Sequence, residues 1–224
     1  MGVFKKTKEV FKDTKKLVLL GVLSALGSIL MLIEIPYPPV PFLKFDISDL
    51  PVLLTAQTLG IGPAIIVSIA KSLVSLMIRG VRTPMGIGLI TAALSSIALA
   101  IIYTSLKKVI KGSKWQEKVS RFVIVILCYS AFMTLANFLF ITPVFLGGVW
   151  YTDVIDFVTL STFIPNLTFP YFPGRYISIP DFGYLATIIF IYMPFNALKG
   201  FIILALYEGI SPRLLPELKK VLKM

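Results

Sequence analysis

Asn196 and Lys199 lie three residues apart inside a long apolar stretch, Leu185 to Leu206. That spacing puts both on one face of a helix. At bilayer depth a lysine costs about 2.5–3.5 kcal/mol even on the mild insertion scale, so something polar must face the pair. A second carboxamide, Asn137, sits in an earlier apolar stretch with Thr134 one turn before it, and Lys71 sits in another. No acidic residue lies mid-span, since Glu34 and Glu208 fall near span ends. The pattern therefore predicts that Lys199 lacks a carboxylate partner and that its counterpart is a ligand rather than an ion pair. A carboxamide donates to a carbonyl and accepts from a neighbouring N–H, which reads an imide edge, whereas an ammonium only donates. Such a set suits a neutral or weakly anionic ring rich in carbonyls, covered by apolar and aromatic walls. Asn137 alone could instead serve interhelical hydrogen bonding. Lys71 could contact ligand, line a polar cavity or snorkel.

The elements that must hold these groups are transmembrane helices. The chain has 224 residues, 57% of them hydrophobic, with a mean hydropathy of +0.89 and 15% charged residues. Repeated apolar stretches of spanning length predict an all-α integral membrane protein. Continuous rather than alternating hydrophobicity argues against a transmembrane barrel. There is no His and a single Cys, Cys128. Disulfides within the chain are excluded, no metal site is expected, and Cys128 is expected to be buried.

Six spans are predicted: Leu17–Ile35, Leu50–Leu59 (short), Ala64–Ile78, Met85–Ile110, Phe122–Leu146 and Leu185–Ile210. Ser48 or Asp49 can cap the second, with Pro51 in its first turn. Pro194 removes the amide that would pair with the Phe190 carbonyl, so a kink is expected beside the polar pair. Of the 22 Lys and Arg residues, sixteen lie in the N-terminal tail, the Lys107–Arg121 loop and the C-terminal tail. Four lie on the other side and two within spans. This asymmetry places both termini in the cytoplasm. It divides the chain into a basic amphipathic tail (1–16), a six-helix membrane domain (17–211) and a basic tail (212–224). Outer loops at 36–48 and 147–184 carry aromatics that suit interfacial anchors or a lid over a pocket. The +11 net charge is then topological rather than a nucleic-acid surface.

No catalytic constellation is visible: there are no mid-span carboxylate pairs, and Asp153 and Asp156 lie in a loop. No phosphate-loop motif is present, so active transport would draw its energy from partner subunits. Gly21-Val-Leu-Ser-Ala25 presents small residues four apart, suited either to a partner helix or to packing within the bundle.

Four segments carry a resemblance: Ile35-Pro-Tyr-Pro-Pro-Val-Pro-Phe-Leu-Lys-Phe-Asp-Ile-Ser-Asp-Leu-Pro51; Leu59-Gly-Ile-Gly-Pro63 leading to Lys71; Asn137; and Pro194-Phe-Asn-Ala-Leu-Lys-Gly200. Together they resemble the riboflavin-binding type of substrate-binding subunit (S component) of energy-coupling factor (ECF) vitamin importers. The resemblance implies six helices in a prokaryotic cell membrane and capture of riboflavin from outside. It also implies delivery inward with a transmembrane T component and two cytosolic ATPases. Riboflavin would be transported cargo, with no cofactor. Asn137, Asn196 and Lys199 would hydrogen-bond the isoalloxazine ring. Leu43 and Lys44 would cover it, with Asp46 placing their loop. Gly21 and Ala25 would stand where the family has a small-residue motif, usually two alanines, facing the T component. An S component for another vitamin is the alternative; an intramembrane enzyme or a structural scaffold lies further off.

Overall fold

The computed structural model describes residues 7–8, 10–38, 40–81, 86–110, 115–142, 144 and 183–222. Most of the aromatic loop expected at 147–184 lies outside them. The order is helix α1 (Thr14–Met31), a two-stranded hairpin β1 (Ile35–Tyr37) and β2 (Val40–Phe45), then α2 (Asp49–Thr58), α3 (Ile61–Arg79), α4 (Ile87–Val109), α5 (Trp115–Ala136) and α6 (Gly183–Val221). A π-helical turn, Asn137–Ile141, prolongs α5. Asp13 caps α1 by accepting from the Lys15 amide at 3.0 Å.

Five of these helices are long and apolar enough to cross a membrane. The predicted second span is a helix of ten residues, about 15 Å long at 1.5 Å per residue. Gly60 (φ 105°) starts α3 and Gly80 (φ 69°) ends it, both in the positive-φ region that glycine enters without penalty. These turns let α2, α3 and α4 pack against one another in sequence, around Val52, Val67 and Ala100.

Three expectations are corrected. The Pro-rich segment is a hairpin rather than a bare loop: Ile35 pairs with Phe45 and Pro36 with Lys44, with an irregularity before Tyr37. Pro36 and Pro41 sit on a two-stranded ribbon with no further strand beside it among the described residues, where a missing N–H is tolerated. Cys128 is exposed on the outer face of α5, one residue from the buried Tyr129; inside a membrane bundle, that face meets lipid. Finally, the last helix does not stop near Ile210 but continues through Pro212 and Pro216 to Val221. Leu222 joins Val10 and Leu20 in one apolar cluster, which anchors that end.

Candidate ligand-binding site

A cavity of about 240 Å³ opens among the hairpin, the C-terminal ends of α1, α3 and α5, the N-terminal half of α4 and the middle of α6. Leu43, Lys44, Asp46, Asn137, Asn196 and Lys199 all line it. Six residues from three separate stretches of sequence thus converge on one space. Lys71 does not reach its wall: it is 0% exposed, and its ammonium donates to Ser48 Oγ at 2.6 Å and Asp49 Oδ1 at 2.7 Å.

The expectation that Lys199 lacks a carboxylate is overturned. Its Nζ lies 3.2 Å from Asp46 Oδ2 and 3.1 Å from Asp49 Oδ2. The reason is the hairpin. It folds back over the bundle and starts α2 inside it, so residues that read as a loop acid and a helix cap sit at lysine depth. Ser48 occupies the cap position of α2 without making a cap bond. Its hydroxyl instead donates to Asp46 and accepts from Lys71. Asp49 also accepts from Ser96 and, at 3.3 Å, from Ser95, whose Oγ pairs with Tyr129 Oη at 2.7 Å. Two ammoniums and two carboxylates balance within this buried cluster. Opposite charges held this way cancel much of each other's desolvation cost, and removing one partner is expensive.

The two carboxamides differ. Asn137 begins the π-turn, and its Nδ2 donates to the Met133 carbonyl at 2.7 Å. Asn196 is 3% exposed, and its buried Nδ2 has no hydrogen-bond partner among the described residues. A buried donor left unmade costs about 1–3 kcal/mol, so an acceptor brought within reach of Asn196 would be favoured.

The hairpin is tied down at two points. Phe45 stacks on Phe195 with centroids 4.8 Å apart, and Tyr37 meets both rings at 5.5 Å. At the rim Glu34 pairs with Lys44 at 2.7 Å and with Arg79, which also donates to the Leu32 carbonyl. Glu34, Arg79 and Phe195 line the cavity, and sequence reasoning passed them over. The signal for the first two was available: an acid ending one span and a base ending another can meet only if the spans end at the same level. In the sequence Asp49 reads as a cap, although it is an acid opening an otherwise apolar helix.

Gly21 and Ala25 lie elsewhere, on the exposed face of α1. A Cβ added at Gly21 would meet nothing within 4 Å. The alternative that they pack within this bundle is thereby excluded for the described residues.

A bundle of membrane-length helices, enclosing an apolar-walled cavity with a polar floor and a hairpin over it, defines a membrane-embedded small-molecule-binding protein. The chain belongs to the family of ECF transporter substrate-specific components, whose family model, "ECF transporter, substrate-specific component", matches residues 15–211. It is 27% identical over 202 residues to the riboflavin transporter RibU of Lactococcus lactis subsp. cremoris (strain NZ9000), covering 88% of this chain and 91% of that protein. It is 24% identical over 211 residues to the riboflavin transporter FmnP of Bacillus subtilis (strain 168), covering 92% and 95%. Its fold matches a solved structure described as the S component of a bacterial ECF transporter, with a TM-score of 0.61 at 20% identity over 91% of this chain and 96% of the other. These relatives are transporter components rather than enzymes, and the chain is a multi-pass protein of the prokaryotic cell membrane.

Proposed function

We propose that this chain is the riboflavin-binding subunit of an ECF importer. The observation that carries the reading is that Asn137, Asn196 and Lys199 line one cavity, the Asn196 donor having no partner among the described residues. The isoalloxazine ring presents two carbonyls, an imide N–H and ring nitrogens along one edge, which matches two carboxamides and one ammonium. Leu43 and Lys44 on the hairpin would cover the ring, and Asp46 would place them. Two relatives described as riboflavin transporters support this choice among ring systems.

Six crossings are inferred, with β2 and α2 together making the second. Asp49 begins α2 beside the cavity, and Gln57 near its end accepts from Lys107 in the last turn of α4 at 3.1 Å. Irregular backbone is tolerated at membrane depth where protein covers it. Both termini are then cytoplasmic by the distribution of Lys and Arg, and the cavity, at the opposite end of the bundle, opens outward. ATP-driven partners, a T component and two ATPases, would move the cargo, with Gly21 and Ala25 offering the docking surface.

Titrating the purified protein into riboflavin tests the reading. Quenching of flavin fluorescence with tight, saturable stoichiometry is expected, and a panel of other vitamins should not compete. An unchanged flavin signal, or displacement by an unrelated vitamin, sinks it.

A further inference from the structure

We propose that Asp49 is a positioning residue that aims Lys199 at the ligand and makes the cavity floor selective for an uncharged hydrogen-bond acceptor. This deepens the reading of the cavity as a ligand site and rests on it. Asp49 is 1% exposed and does not line the cavity. Its two oxygens already take Lys71, Lys199, Ser95 and Ser96, so it has little capacity left for a ligand. It acts through Lys199. An ammonium has three protons; it donates one to Asp46 at 3.2 Å, and the Asp49 carboxylate, in ion-pair contact at 3.1 Å, holds a second side of the head group. One remains for the cavity, on a side chain whose flexible stem would otherwise leave the head group unplaced. The charge balance sets the ligand class. Lys71 and Lys199 are matched by Asp46 and Asp49, so the floor is neutral overall. A neutral carbonyl or ring nitrogen accepts the third proton at little cost, whereas an anionic group there would meet the Asp46 carboxylate on the cavity wall and a lysine whose charge Asp46 and Asp49 already match.

The simple change Asp49→Asn strands Lys71 in the core and would obscure the result through instability. The informative variant is Asp49→Asn/Lys71→Met, which removes one charge of each sign. Its thermal midpoint in detergent is expected near that of the wild type, while riboflavin binds roughly 10–100-fold more weakly, the range for losing a hydrogen bond to a charged group. Adding Lys199→Ala to it should weaken binding no further than Lys199→Ala alone. Wild-type affinity in the double variant, or additive losses with Lys199→Ala, would overturn the proposal. Should the double variant not fold, Ser96→Ala removes one contact that orients Asp49 without changing charge. It should weaken binding several-fold, again without additivity to Lys199→Ala.

A ligand-free readout separates this proposal from the choice of riboflavin. Acetylation of Lys199 by acetic anhydride, followed by mass spectrometry, should be slow in the wild type and several-fold faster in the double or Ser96→Ala variant. Equal rates overturn the positioning role whether or not riboflavin is the cargo. Absent riboflavin binding with the expected labelling change overturns only the choice of vitamin.

Discussion

Tyr129 of α5 occupies the space that a side chain at Gly200 of α6 would need: a Cβ there would stand 3.0 Å from Cδ1 and 3.4 Å from Cε1 of the ring. The bare backbone of Gly200, one residue beyond Lys199, lets the ring pass. Tyr129 Oη then reaches Ser95 Oγ at 2.7 Å, and Ser95 reaches Asp49. A missing methyl group thus supports the charge cluster beneath the cavity. Gly200→Leu should drive the ring away, as overpacking a tight contact does, at about 1–3 kcal/mol. A fall in thermal midpoint, with weaker riboflavin binding, is expected. A midpoint equal to that of the wild type would show that the ring has room to yield.

The Phe45–Phe195 stack holds the hairpin to α6. Such pairs contribute about 0.5–1.5 kcal/mol beyond the area they bury. Phe45→Ala and Phe195→Ala should each accelerate riboflavin dissociation in stopped-flow measurements. The double variant should fall short of the product of the two effects, since either change already removes the stack. Independent effects would mean that the hairpin is held elsewhere.

Asn196 carries a prediction with opposite signs for the free and bound protein. Its buried donor has no partner among the described residues, so Asn196→Leu should leave the thermal midpoint without riboflavin unchanged or raise it. Riboflavin affinity should nevertheless drop roughly 10-fold or more as the bond to the ring is lost. A variant that loses stability while keeping affinity would assign Asn196 to the scaffold.

At the rim, Glu34 is shared by Lys44 and Arg79. The Lys44 side chain is 43% exposed, so this contact is screened by solvent and salt. Glu34→Gln should speed riboflavin release by a few-fold at low ionic strength, and the difference should shrink as salt is added. A difference independent of salt would point to packing rather than charge.

Gly21 lies in an exposed small-residue stripe with no neighbour in the way among the described residues. Gly21→Leu should leave thermal midpoint and riboflavin binding as they are. Co-purification with a T component and its ATPases should fall. Unchanged assembly would remove this face from the interface.

The sequence alone was enough to mark Asn137, Asn196 and Lys199, because polar groups in apolar stretches are costly and therefore informative wherever they stand. It was also enough to place five membrane-length helices to within a few residues at most ends, because an uninterrupted apolar run has few other fates. What it could not show was company. Asp46 and Asp49 read as a loop acid and a cap because their partner, Lys199, lies 153 and 150 positions away in the chain, and no local pattern encodes that meeting. The hairpin escaped notice because prolines read as breakers and its pairing is a relation between two strands. The exposed position of Cys128 has no sequence signal, because composition reveals that a helix is apolar all round but not which side meets its neighbours. Composition and periodicity determined the membrane, the helices and the costly polar groups. Only the tertiary structure decided which charges neutralise one another and which donor has no partner among the described residues, because those depend on distances between residues far apart in sequence.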